Sequence, residues 1–297
     1  MQITSTSLSA LMVGFKAEFQ NGIGDAESQY KEVAMDVKST KGSEVYGWLG
    51  KSTRFRKWLG ARVIQNLKTH DFTIKNEKYE NTVGVDRDDI EDDSLGLYSP
   101  LFKQLGQDTA NHPDELVFAL LKKGFTEKCY DGQYFFDTDH PVTDEDGNEY
   151  SVSNMQAGGE TPWYLIDNSK ALMPIIFQKR RDYAFVAMTK PDDEKVFTDD
   201  EYRYGIDARV NAGFGLWQLA FGSKATLNKA NYDAAFSAMQ SLKGDMGKPL
   251  AVTPKILLVS PSDRSAALEM VKAERDANGA TNVNKDSTVV VVCPWLA

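Results

Sequence analysis

Residues 202–216 constrain the fold more than any other part of the sequence, because apolar and polar side chains alternate along them. The apolar side chains occupy the even positions, namely Tyr202, Tyr204, Ile206, Ala208, Val210, Ala212, Phe214 and Leu216. Arg203, Asp207, Arg209 and Asn211 occupy odd positions. Alternation with a period of two predicts a long antiparallel strand with one buried and one wet face. At ~3.3 Å per residue such a strand runs for about 50 Å, well beyond the usual length.

After Gly222 the pattern changes to alternating helices and strands. A helical stripe runs from Tyr232 to Leu242, and an apolar strand follows over 255–260. Ser262 begins a second helix, and a valine-rich strand covers 287–293. This order of elements predicts a compact α/β unit at the C-terminal end.

The N-terminal part begins with apolar residues at helical spacing. They are Leu8, Leu11, Met12, Phe15 and Phe19. They predict an amphipathic helix that Asn21–Gly24 ends, because glycine disfavours helix interiors. A second helix is predicted over 52–67, followed by a hairpin over 71–85 with its turn at 76–78.

Two proline-containing helix starts follow, Ser99-Pro100 and Pro113. They predict either two helices or one long helix kinked at Pro113. Residues 126–162 have the composition of a long loop, and within them Asp146-Gly147-Asn148 predicts a tight turn between Val142 and Tyr150.

Charge and targeting features narrow the class of protein. The 297 residues carry a net charge of −9, which disfavours tight nucleic-acid binding over most of the surface. Two cysteines, Cys129 and Cys293, fit a reducing compartment. No basic segment precedes an apolar run at the N-terminus, and no apolar run is long enough to span a membrane, so we expect neither a signal peptide nor a membrane anchor.

Searches for catalytic, cofactor and metal motifs give incomplete matches. Gly50-Lys51-Ser52-Thr53 resembles the end of a phosphate-binding loop, but Val45 stands where its first glycine belongs. The acidic stretch 137–148 fails as a calcium loop because Val142 occupies the first ligand position. We therefore predict no catalytic residue, no cofactor and no metal.

Cys129 and His140 are the candidates for a nucleophile and its base. No oxyanion-loop pattern accompanies them, so a buried structural cysteine is the favoured interpretation. The glycines of Gly213-Phe-Gly215 lie within the predicted strand, where they indicate close backbone approach and not a dinucleotide loop.

A basic and aromatic segment is followed by an acidic run. These predicted contact residues are Trp48, Arg54, Arg56, Lys57, Trp58, Arg62, Asp88, Asp89, Asp92 and Asp93. Arginine and tryptophan are favoured in protein interfaces, and the two groups have opposite charge. We interpret them as an inter-subunit contact; a nucleic-acid surface on the basic segment is the alternative.

Several blocks of sequence resemble one family. They are Trp48-Leu49-Gly50, 58–67, Tyr79-Glu80-Asn81, 88–93, Cys129-Tyr-Asp-Gly-Gln-Tyr-Phe-Phe-Asp-Thr-Asp-His-Pro141, Trp163-Tyr-Leu165, and the stretch from Tyr204-Gly205 to Trp217-Gln218. Together they resemble the major head subunit of Mu-like phages and prophages, the gpT family of major capsid proteins. The block 129–141 is the most specific of them.

The resemblance implies an α+β, Hong Kong 97-like (HK97-like) major capsid protein fold. By it, 1–44 is an N-terminal arm, 45–88 contains the extended loop, 89–224 is the peripheral domain and 225–297 is the axial domain. The peripheral domain would contain the spine helix at 94–124, the long loop 126–162 and the strand 202–216.

The function implied is self-assembly into pentamers and hexamers of an icosahedral phage head that encloses double-stranded DNA. Further copies of the chain, a portal, and a scaffold or protease would be the partners, with weak non-specific contact to DNA and none to a membrane. The protein would be made and assembled in the bacterial host cytoplasm and reside in the virion.

Two other function classes stay open on the sequence. An encapsulin-like nanocompartment shell would enclose cargo enzymes instead of DNA. A soluble enzyme using the 129–149 loop would form a small oligomer and lose activity on substitution of Asp139 or His140.

Overall fold

The structure is a computed structural model that describes residues 5–46, 72–92, 96–190, 192–244, 247–276 and 279–297. The helices are α1 (Ser5–Asp25), α2 (Arg87–Asp92), α3 (Tyr98–Lys123), α4 (Glu194–Asp199), α5 (Lys229–Gln240) and α6 (Arg264–Lys272). The strands are β1 (Ala34–Lys38), β2 (Ser43–Val45), β3 (Thr73–Lys75), β4 (Glu77–Asp86), β5 (His140–Thr143), β6 (Glu149–Val152), β7 (Met155–Gln156), β8 (Trp163–Ile166), β9 (Ile175–Met188), β10 (Glu201–Phe214), β11 (Ala220–Ser223), β12 (Ile256–Val259) and β13 (Val289–Val292). Among the described residues, no helix combines the length and apolar character that spanning a membrane would require.

A four-stranded sheet in the order β1-β9-β10-β4 contains the predicted long strand. β10 pairs antiparallel with both β9 and β4, and its even positions from Tyr202 to Val210 are buried. The alternating pattern therefore predicted this strand and its buried face correctly. β9 was not predicted, although it is equally long.

Helices α1 and α3 cover the buried face of this sheet. Phe15 of α1 stacks on Phe102 of α3 with ring centroids 4.2 Å apart, and both rings contact Tyr204 of β10. Phe19 of α1 lies against Phe185 of β9. The first helix of the predicted arm thus packs on its own chain.

The predicted break of the first helix at Asn21–Gly24 is wrong, because α1 continues to Asp25. Gly22 of α1 allows a close crossing with α3 and does not form a turn. A Cβ at Gly22 would lie 2.0 Å from the Lys103 backbone oxygen, and one at Gly106 would lie 2.1 Å from that of Phe19. Tertiary packing therefore overrides the low helix propensity of glycine.

Of the two alternatives for residues 99–124, the structure has the single helix, since α3 continues through Pro113. Asp114, the next residue, is buried and accepts hydrogen bonds from the Ser28 hydroxyl and from the backbone N–H groups of Gln29 and Tyr30. These bonds fasten the segment after α1 to the middle of α3.

The predicted hairpin over 71–85 is wrong in its pairing. Both strands exist, but β3 pairs with β2 and β4 pairs with β10. Asn76 between them is buried, and its side-chain amide donates to the Ser39 hydroxyl at 2.9 Å and accepts from Gln178 at 2.8 Å. These long-range bonds hold the chain where a local turn was expected.

A second sheet has the order β13-β12-β8-β11-β7. The helices and strands predicted after Gly222 are found as α5, β12, α6 and β13. Their two strands share this sheet with three strands from before residue 225. The four domain ranges proposed from the sequence stay a prediction.

The long loop 126–162 contains the short hairpin β5–β6, in which Val142 pairs with Tyr150. Gly147 has φ +86 at its tip. The tight turn predicted at Asp146-Gly147-Asn148 is confirmed, because a positive φ at this position suits glycine.

Candidate functional site

Most of the predicted contact residues lie outside the described part of the chain. They are Trp48, Arg54, Arg56, Lys57, Trp58, Arg62 and Asp93. The structure does show how the flanks of segment 47–71 are held. The Tyr46 backbone N–H donates to the Phe72 carbonyl at 2.9 Å, and the Tyr46 hydroxyl donates to Gln178 of β9 at 2.7 Å. Both flanks are therefore attached to the four-stranded sheet.

The described acidic contact residues lie on α2, directly after β4. Asp88, Asp89 and Asp92 are exposed, whereas Ile90 is buried in the core beneath α1 and α3. Within the described ranges, none of the three carboxylates belongs to an ion pair. α2 therefore presents an acidic surface at the end of the sheet.

The block 129–141 folds into a buried polar network around His140. The ring Nδ1 lies 2.7 Å from Asp131 Oδ2, and Nε2 lies 3.2 Å from Asn154 Oδ1. The Cys129 thiol donates to the other Asp131 oxygen at 3.0 Å. His140 itself is fully buried.

The hydrogen bonds of Asn154 fix which of its side-chain atoms faces His140. The Asn154 Nδ2 group donates to the Phe135 carbonyl at 2.8 Å, while its Oδ1 accepts from the Asp137 backbone N–H at 2.9 Å. Asn154 Oδ1 is thus an acceptor, as is the Asp131 carboxylate. Each ring nitrogen of His140 therefore faces an acceptor oxygen, Nδ1 that of Asp131 and Nε2 that of Asn154.

Trp217 covers one face of the His140 ring. Its ring stacks on that of His140 at a centroid distance of 3.9 Å and an interplanar angle of 9°. Trp217 begins the short 3-10 turn between β10 and β11, so the network fastens the long loop where the chain passes from one sheet to the other.

The geometry of the network fits neither a zinc site nor an activated cysteine nucleophile. Cys129, Asp131 and His140 are ligand types for zinc and lie close together. Their ligand atoms contact one another directly at 2.7 and 3.0 Å, closer than about 3.3 Å between two ligands of a tetrahedral zinc ion. Burial, reinforced by Asp131, raises the pKa of the Cys129 thiol, the opposite of an activated nucleophile. In this geometry the groups form a hydrogen-bonded structural cluster.

Sequence reasoning singled out Cys129 and His140 but missed Asn154 as their partner. Asn154 lies in a loop-like stretch with no motif of its own. The only available signal was the length of that loop, which predicted an interaction without naming one.

The comparisons with known proteins agree with this fold. The family model for the Mu-like prophage major head subunit gpT matches residues 8–296. This chain belongs to that family. Its role is that of a major capsid protein, and the α+β, HK97-like fold predicted from the resemblance is confirmed.

Relatives match along the whole chain. The major capsid protein of Escherichia phage Mu is 42% identical over 305 residues, covering 100% of both chains. The Mu-like prophage FluMu major head subunit of Haemophilus influenzae is 43% identical over 291 residues, covering 96% of this chain and 94% of the relative.

Among solved structures, the subunit in the procapsid of bacteriophage JBD30 has a TM-score of 0.88 and 46% identity, covering 99% of this chain and 100% of that one. The comparisons support neither the nanocompartment nor the enzyme alternative.

Proposed function

We propose that this protein assembles into pentamers and hexamers of an icosahedral phage head that encloses packaged double-stranded DNA, and that it has no enzymatic activity. The end-to-end match to the JBD30 procapsid subunit carries this proposal, because both chains are covered almost completely.

The proposed inter-subunit contact joins the basic segment at 48–62 of one copy to the acidic surface at 88–93 of the next. Two observations support it. The flanks of segment 47–71 are attached to the four-stranded sheet, and the exposed carboxylates of α2 have no ion-pair partner within the described ranges. Each such contact is weak, but a shell forms many at once, and linked weak contacts strengthen one another.

The remaining partners follow from a head shell. We expect a portal, a scaffold or protease, and assembly in the cytoplasm of the bacterial host. DNA contact is expected to be weak and non-specific, since the net charge of −9 repels a phosphate backbone.

Sedimentation and electron microscopy of the purified protein test this function. We expect closed shells, and a protein that remains monomeric or forms only small oligomers at high concentration would contradict the proposal. Copurification of a cargo enzyme would favour the nanocompartment alternative.

Charge reversal tests the proposed contact. Arg56→Glu or Trp58→Ala should lower the shell yield while leaving the stability of the subunit nearly unchanged. Asp88→Lys combined with Asp89→Lys should have the same effect. Combining Arg54→Glu and Arg56→Glu with the two aspartate substitutions should restore part of the yield. Arg264→Glu, an exposed charge reversal on α6, is the matched control. Undiminished shells from the charge-reversed variants would rule the contact out.

A further inference from the structure

A row of three cations crosses the solvent-facing side of the four-stranded sheet. Arg209 of β10 lies opposite Arg181 of β9 on one side and opposite Lys78 of β4 on the other. Like charges placed directly opposite each other destabilise a sheet. Such a row is unexpected in a chain with a net charge of −9.

An irregularity in the β9–β10 pairing brings a further arginine to the same place. The register shifts on both sides of Arg209, and a bulge of this kind redirects side chains. Arg180, Arg181 and Arg209 together line a cavity of about 270 Å³. Three guanidinium groups therefore surround one small space.

Among the residues that the structure describes, too few acceptors lie near these groups. Asp207 pairs with Arg181, and Glu80, opposite Asp207, accepts a hydrogen bond from the Thr82 hydroxyl. Arg209 Nε is buried without a hydrogen-bond partner, and within the described ranges Arg180 belongs to no ion pair. A buried donor left unpaired is costly and calls for an explanation. The missing acceptor would come from outside the described residues.

We propose that this arginine cavity binds a carboxylate of a second copy of the chain in the assembled shell, an inference that rests on the proposed function. Guanidinium groups recognise carboxylates and phosphates through paired hydrogen bonds. A second copy is the source we favour, because a shell places copies side by side and each carries an excess of acidic residues. A phosphate backbone crossing this face would also meet Asp207 and Glu80 in the adjacent row, whereas a single carboxylate entering the cavity avoids them.

The first test measures assembly as shell yield and folding as the urea midpoint of the unassembled subunit. Arg180→Gln combined with Arg209→Gln removes two mutually repelling charges. The urea midpoint of the unassembled subunit should therefore stay unchanged or rise, while shell yield falls at least tenfold. Arg264→Gln on α6 is the control and should change neither quantity. A lower urea midpoint, or failure to fold, would show that the arginines have partners within the chain and would overturn the proposal.

The second test identifies the acceptor. Shells of the Arg209→Lys variant, assembled from a mixture of ¹⁵N-labelled and unlabelled subunits, are treated with a carbodiimide that joins lysine to carboxylate. We expect linked peptides that combine labelled and unlabelled chains. Links only to Asp207 or Glu80 of the same copy would overturn the proposal, and so would links that form only after nuclease treatment, which would assign the site to a phosphate backbone.

The two proposals fail in different ways. If the unsubstituted protein forms no shells, the proposed function is wrong and this inference falls with it. If the unsubstituted protein and the arginine variants form shells equally well, only this inference is wrong.

Discussion

Replacing glycine by alanine at two helix positions should change stability in opposite directions. Alanine is favoured over glycine in helix interiors by ~1 kcal/mol. A Cβ at Gly14 of α1 meets nothing within 4 Å, so Gly14→Ala should stabilise the subunit by up to about 1 kcal/mol. A Cβ at Gly106 of α3 would lie 2.1 Å from the Phe19 backbone oxygen.

The cost at Gly106 follows from the helix crossing. Non-bonded heavy atoms prefer separations of about 3.5–4.0 Å, so α1 and α3 would have to move apart by more than ~1 Å. That movement would loosen the stack of Phe15 on Phe102, and overpacking of this kind costs about 1–3 kcal/mol. After the gain in helix propensity, Gly106→Ala should destabilise the subunit by up to about 2 kcal/mol.

Urea unfolding of the unassembled subunit measures both effects. Gly14→Ala is the matched control, because it makes the same chemical change on a helix of the same pair. The free energies of unfolding of the two variants should differ by about 1–3 kcal/mol. Gly22→Ala should behave like Gly106→Ala, since its Cβ would lie 2.0 Å from the Lys103 backbone oxygen. Equal stabilisation by all three substitutions would refute the close crossing.

Three further predictions concern Asp131 of the buried network and the two buried thiols. Asp131→Asn should lower the free energy of unfolding by about 1–3 kcal/mol, because an amide cannot accept at both positions where the carboxylate meets His140 and the Cys129 thiol; an unchanged urea midpoint would contradict this role. Burial acts to raise the pKa of Asp131, but hydrogen bonding and the charge of His140, with the Cys129 thiol, outweigh it and hold that pKa below its usual value. The stabilisation by Asp131 is therefore complete above its pKa in the unfolded chain, near 4, and is lost as the pH falls through its lower pKa in the folded protein. Urea midpoints measured from pH 6 to pH 2 should therefore fall more steeply for the unsubstituted protein than for Asp131→Asn. Burial raises the pKa of the Cys129 and Cys293 thiols, that of Cys293 to about 12. Iodoacetamide should therefore modify neither cysteine at pH 7.5 until urea unfolds the subunit. Rapid labelling of the folded protein, measured by mass spectrometry, would contradict this prediction.

The two long strands show where sequence patterns suffice and where they fail. β10 has one buried and one wet face over most of its length, so its period of two is visible in the sequence. β9 is buried on both faces at Ile175–Gln178 and exposed from Arg180 to Asp182, where the pairing is irregular. It therefore has no single period and was missed.

The polar network was beyond sequence reasoning for a related reason. Cys129, Asp131 and His140 lie within one block, whose specificity pointed to them. Asn154 and Trp217 approach this block only because the loop folds back on the junction between the two sheets. A local motif gives the residue types, whereas two of the groups around His140 are supplied only by the tertiary fold.

Apolar and charged side chains of this subunit differ in how far they find partners within the chain. Its apolar groups are largely satisfied internally, since α1 buries Phe15 and Phe19 on its own chain. Many of its charges form ion pairs within the chain, but two groups of charges do not. The cation row near the start of β4 lacks a full set of counter-ions, and the carboxylates of α2 beyond the end of β4 lack partners within the described ranges. From Lys78 to Asp86 the strand spans about 26 Å at ~3.3 Å per residue, so unlike charges lie at opposite ends of one sheet.

Contacts between unlike surfaces are heterologous, and a heterologous contact repeats around a ring when its rotation closes. Such an arrangement suits pentamers and hexamers, in which each copy presents one surface to the copy before it and the other to the copy after it. Electrostatic pairing of this kind selects the partner and its orientation more than it adds affinity. Higher salt should therefore impair ring closure before it impairs folding of the subunit, whose core rests on apolar packing that salt does not screen.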